Sequence, residues 1–216
     1  MFAQTYQSGL ISLLYSVGNK PLQLWEKHEE APTRSIARVL DADIQSSVIE
    51  LSARESVAQT WIRCPMAASD SSTDEGDERQ RSLHIRLQHL VLLVKPLQSE
   101  ELSVEVHVRD SRMQIRRFRA STFQKITRVH PLMTLLPLHL DASCWNQLQF
   151  DLAKLTRDAY GTTLAHTISV QIHANCRVRR VYFADKMVAE EQLPVEFRLY
   201  KRLSKAQVTA YKELDK

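Results

Sequence analysis

Two short runs concentrate the capacity of this 216-residue chain for ionic chemistry. In Met113-Gln114-Ile115-Arg116-Arg117-Phe118-Arg119-Ala120, an extended backbone puts Arg117 and Arg119 on one face with Ile115, and Arg116 with Phe118 on the other. In Cys176-Arg177-Val178-Arg179-Arg180-Val181-Tyr182-Phe183, Arg177 and Arg179 point one way and Val178 the other, with Arg180 adjoining. A guanidinium is a planar fork of donors suited to carboxylates and phosphates. With Arg128, the residues Arg116, Arg117, Arg119, Arg177, Arg179 and Arg180 are the candidate contacts to an anionic partner. One exposed ion pair contributes only about 0.2–1 kcal/mol, so such a surface works through several contacts or many copies along a polymer. The competing account is that some of these arginines serve acids inside the fold, near Asp158 or Asp185 for example.

Other chemistries are poorly supported. His166, His173 and Cys176 come nearest to a metal set, but no second ligand pair follows at zinc spacing, and an offset of seven splits the two histidines across a strand. There is no G-x-S-x-G elbow, no H-E-x-x-H and no Cys beside an evident base, so no catalytic residues are assigned. With only Gly9, Gly18, Gly76 and Gly161, a glycine-rich phosphate loop is absent, and no cofactor is expected. Trp25, Trp61 and Trp145 could form a sugar platform on a β-sandwich, though core or rim positions are the plainer reading. A basic nucleic-acid module would use the same arginines, with Phe118, Tyr182 and Phe183 as stacking aromatics.

Net charge is +4, unevenly placed: Arg109 to Arg180 holds 12 Lys/Arg against four Asp/Glu, and the rest of the chain is net acidic. A basic middle suits an anionic partner, and charge alone does not choose among nucleic acid, membrane and acidic protein. Three distant cysteines, Cys64, Cys144 and Cys176, fit free thiols in the cytosol. The apolar patch from Leu10 to Val17 is short and interrupted by serines, so a signal peptide or membrane span is not expected.

The elements that must position these residues are mostly strands. Leu102, Val104, Val106 and Val108 alternate with polar residues, as do Ile168, Val170 and Ile172. Further strands are expected over 48–53, 57–64, 83–95, 113–120, 145–150, 177–183 and 195–200, with Leu90 to Val94 as a central strand covered on both faces. One helix is expected after Asp151, with Leu152, Leu155 and Ala159 on one face and Gly161 at its C-terminal cap. The pattern predicts an all-β, antiparallel sandwich over 1–200 with one or two short helices, and a helical C-terminal tail over 201–216. Residues 66–82 form an acidic surface loop, in which Ser71 and Ser72 each precede an acid by three positions and are candidate phosphorylation sites.

The chain also carries long irregular strings: Tyr6-Gln7-Ser8-Gly9, Lys20-Pro21-Leu22-Gln23, Arg116-Arg117-Phe118-Arg119-Ala120-Ser121, Trp145-Asn146-Gln147 and Val170-Gln171-Ile172-His173-Ala174-Asn175-Cys176-Arg177. In these it resembles the cilia- and flagella-associated protein 20 family over nearly its whole length. The resemblance implies a jelly-roll β-sandwich without known catalytic activity, at the inner junction of axonemal doublet microtubules. It implies contacts with α/β-tubulin of the A- and B-tubules and with parkin co-regulated protein, and a place in the cytoplasm, cytoskeleton, cilium or flagellum axoneme and basal body. Nucleic acid and membrane are not expected among the partners. Two stretches depart from the family pattern: the acidic segment of 67–81 is longer than usual, and the chain beyond Tyr200 differs.

Overall fold

The structure, a computed structural model, describes residues 1–29, 35–53, 56–66, 82–97 and 101–199. Apolar residues at period two build its strands: β1 (Leu10–Tyr15), β2 (Glu26–His28), β3 (Ile36–Asp41), β4 (Ser46–Leu51), β5 (Trp61–Cys64), β6 (His89–Pro96) and β7 (Ser103–Asp110). They continue as β8 (Ile115–Ser121), β9 (Arg128–Val129), β10 (Met133–Pro137), β11 (Asn146–Asp151), β12 (Leu164–His173) and β13 (Cys176–Ala184). One sheet runs β11-β6-β13-β4-β3, with β1 also paired to β13; the other runs β2-β5-β12-β7-β8-β10-β9. All pairings are antiparallel except β10 on β8.

The two inner faces meet in one core. Leu90, Leu92, Val94, Val181 and Phe183 come from the first sheet; Ile62, Val104, Val106, Val108, Phe118, Val170 and Ile172 come from the second. This is the β-sandwich expected from the alternation. The run from Leu90 to Val94 is buried on both faces, since Val91 packs outward with Tyr182 under Phe197 and Met187. Among the described residues one α-helix, α1 (Leu152–Tyr160), starts where Asp151 accepts from the Lys154 amide at 2.8 Å and ends at Gly161 with φ +63°. Leu155 and Ala159 then pack on the core. Both capping residues do what their types predict.

Three expected strands change. Residues 195–197 form a 3-10 turn behind Pro194. The segment expected at 57–64 opens with a capped 3-10 turn, Val57–Gln59, before β5 begins. The run expected at 83–95 is a strand only from His89, because His84 sits at φ +54° and breaks the extended backbone. Strands β1, β2, β3, β9 and β10 were not anticipated; they are short or lack a clean two-residue period. Ser71, Ser72, nearly all of the 66–82 loop and the tail lie outside the described residues.

Candidate interaction site

Two aspartates at strand ends shape turns and also hold arginines. At the end of β7, Asp110 Oδ1 accepts from the Arg112 and Gln114 amides, shaping a turn in which Met113 takes φ +62°. Its other oxygen accepts from Arg116 Nε at 2.9 Å and Thr162 Oγ1 at 3.1 Å. Asp41, at the end of β3, does the same: Oδ1 accepts from the Asp43 and Ile44 amides and from Trp145 Nε1, while Oδ2 accepts from Arg177 Nη1 at 2.9 Å. Both carboxylates are fully buried. Burial alone would raise their pKa values, but the side-chain and amide donors outweigh it and hold both below the ordinary range.

The outer face of the second sheet carries the β8 arginines. Register places Arg119 opposite Glu105 and Arg117 opposite His107. Arg119 Nη2 lies 2.6 Å from Glu105 Oε1, Arg117 Nε donates to His107 Nε2 at 2.9 Å, and Arg117 also stands 3.6 Å from Glu105. His173 Nε2 closes the ring at 3.4 Å from Glu105. Glu105 is 5% exposed. Desolvation pushes its pKa up, and His107, His173 and Arg119 together push it further down, well below the usual carboxylate range. Arg116, on the other side of β8, lies over the Tyr160 ring at 4.4 Å and donates to the Pro131 carbonyl.

On β13 the alternation expected for Arg177 and Arg179 does not hold past Val178. A register shift between Val178 and Arg180 against β6 marks a bulge. Val178, Val181 and Phe183 all stay in the core, so Arg179 and Arg180 both turn outward, over Tyr15 at 5.1 and 3.8 Å. Arg180 is also 4.2 Å from the Phe197 ring. The pair is only 9% and 3% exposed. Arg179 Nη1 donates to Ser16 Oγ and the Ser47 carbonyl, and Arg180 Nη1 to Ser12 Oγ; among the described residues neither meets a carboxylate at ion-pair distance. Burial lowers both guanidinium pKa values. Arg177, by contrast, pairs with Glu50 at 2.8 Å as well as Asp41, and its pKa rises, because those partners outweigh its desolvation.

The seven arginines therefore do not form one face. Arg116, Arg117, Arg119 and Arg177 hold internal acids, though Asp110, Glu105, Asp41 and Glu50 rather than Asp158 or Asp185. Arg128 is exposed on β9. The buried partner Glu105 was missed by sequence reading, which placed it on a solvated strand face. The signal was the β7–β8 hairpin, whose short turn at 111–114 fixes every cross-strand pair.

The alternative sites come apart. Phe118, Phe183 and Tyr182 are buried, so they offer no stacking platform to bases. Trp25 is buried with its Nε1 on the Leu13 carbonyl, Trp145 is buried on Asp41, and only Trp61 is partly open, stacked on His28 at 5.0 Å. His166 packs at a tilt against His84, away from the His173–Glu105 pair, and its pKa falls to about 4 through burial and the nearby His84, Arg109 and Arg86. The Cys64 thiol is pushed up to about 12 by burial, which makes it a poor nucleophile.

Comparison with known proteins decides the family. The CFA20 domain model matches residues 1–201. The chain belongs to the CFA20 domain family. "Cilia- and flagella-associated protein 20" of Chlamydomonas reinhardtii is 44% identical over 206 residues, spanning 95% of this chain and 100% of that one. The protein of the same name in Paramecium tetraurelia is 43% identical over 205 residues, 95% and 99% of the two chains. The Caenorhabditis elegans protein is 41% identical over 200 residues, 93% and 91%. Among solved structures, a xylan-binding domain from Paenibacillus barcinonensis superposes with a TM-score of 0.42 at 12% identity over 85% of this chain and 100% of that one, too slight a likeness to bear on function.

Proposed function

We propose that this CFA20-domain chain is a non-catalytic structural protein of cilia or flagella, seated at the inner junction of doublet microtubules, where it bridges the A- and B-tubule walls. The full-length match to relatives named for cilia and flagella carries this reading. The fold supports it physically. Two sheets closed on one core make a stiff spacer, and the basic middle of the chain suits an acidic polymer surface. On this reading its partners are α/β-tubulin and a neighbouring parkin co-regulated protein. Weak contacts at each copy sum along the filament through repetition.

The test is fractionation of a ciliated cell expressing the tagged chain. The expected result is retention in the detergent-insoluble axoneme, release together with B-tubule opening in high salt, and immunogold label at the junction of the two tubules. A chain found wholly in the detergent-soluble fraction, absent from isolated axonemes, would sink the proposal.

A further inference from the structure

From residue 111 to residue 140 the chain has six Lys/Arg and no Asp or Glu. Three of the six are held internally: Arg116 on Asp110, and Arg117 and Arg119 on Glu105. Lys125 and Arg128 have no ion pair among the described residues. They lie in a run, 125–132, in which all eight side chains are exposed.

That run also presents aliphatics to water. Ile126, Val129 and Leu132 are 59%, 52% and 58% exposed. The backbone beneath them is pinned: Gln124 Nε2 donates to the Ile126 carbonyl, β9 pairs with β10, the His130 amide donates to the Met133 carbonyl, and the Arg117 amide donates to the Leu132 carbonyl. The apolar side chains are thus displayed from a fixed frame at the outer edge of the second sheet. An aliphatic left in water forgoes a stabilisation that burial against a partner recovers.

We infer that the 125–132 edge is the surface on which an acidic protein partner docks, with Ile126, Val129 and Leu132 in the apolar centre and Lys125 and Arg128 pairing with carboxylates at the rim. The chemistry favours protein over nucleic acid, because three aliphatics outnumber the exposed rings, Phe123 and His130, on which a base could stack. This rests on the reading of the chain as a tubulin-binding protein, and assigns the contact to this edge rather than to the arginine clusters of β8 and β13.

Co-sedimentation of the full chain with microtubules of purified tubulin tests it. Lys125→Glu with Arg128→Glu weakens binding about tenfold or more, and Val129→Ser with Leu132→Ser weakens it by about threefold or more. Lys20→Glu with Lys186→Glu, an equal charge change on exposed lysines elsewhere, leaves it within about twofold. All three variants keep the wild-type unfolding temperature, because no buried group is altered. Edge variants that sediment like the wild type overturn the assignment while leaving tubulin binding intact. A wild-type chain that ignores microtubules overturns both. A single-stranded RNA 30-mer bound more tightly than microtubules at equal salt, and released by the edge variants, gives the edge to nucleic acid instead.

Discussion

The β8 and β13 arginines resemble each other in sequence and differ in how the fold holds them. Arg116, Arg117 and Arg119 surround buried carboxylates, whereas Arg179 and Arg180 are sunk among Tyr15, Phe197 and serine hydroxyls. The first set compensates negative charge that cannot leave, so it is fixed in number and place. The second leaves no acid behind if it is removed. A guanidinium-rich strand is thus poor evidence for an external partner until its internal acids are known.

The largest effect that separates the two regions comes from Asp110→Ala. It strips Arg116 of its partner and frees the Arg112 and Gln114 amides, so urea unfolding should show a loss of about 3–5 kcal/mol. The exposed Asp158→Ala should stay within about 0.5 kcal/mol. A loss as small for Asp110 would erase the distinction. Next comes acid sensitivity. The folded-state pKa of Glu105 lies below its unfolded value, so its contribution is complete above about pH 4.3. Below that pH it drains away at up to about 1.4 kcal/mol per pH unit. Denaturant midpoints between pH 5 and pH 3 should therefore fall less steeply in Glu105→Gln than in the wild type. The smallest effect belongs to the other region. Arg180→Met keeps the apolar packing under Phe197 and strands no carboxylate, so stability should change by no more than about 1 kcal/mol. A loss of several kcal/mol would show that the buried guanidinium is held by charge after all.

Much of the frame was legible because it follows from local rules. Asp151 and Gly161 bracket α1 as their side-chain chemistry requires, and the unbroken run from Leu90 to Val94 announces a strand covered on both faces. What failed was long-range or strained. Nothing local says that His84 takes a left-handed backbone, that the short β1 completes the edge of β13, or that β10 returns parallel to β8. The candidate site was less legible than the fold. Arg117 and Arg119 were placed correctly on one face, but the acid they cover belongs to another strand, and its burial appears only once the strands are paired. Ile126, Val129 and Leu132 passed unnoticed because a three-residue spacing reads as neither strand nor core.

The bulge between Val178 and Arg180 has a last consequence for how this strand tolerates change. Excising one residue there would restore strict in–out alternation to the whole of β13. Val178, Val181 and Phe183 would all still face the core, and one cation rather than two would stand above Tyr15. Deletion at this point keeps the core in phase, whereas deletion of a single residue elsewhere in the strand turns its remainder inside out.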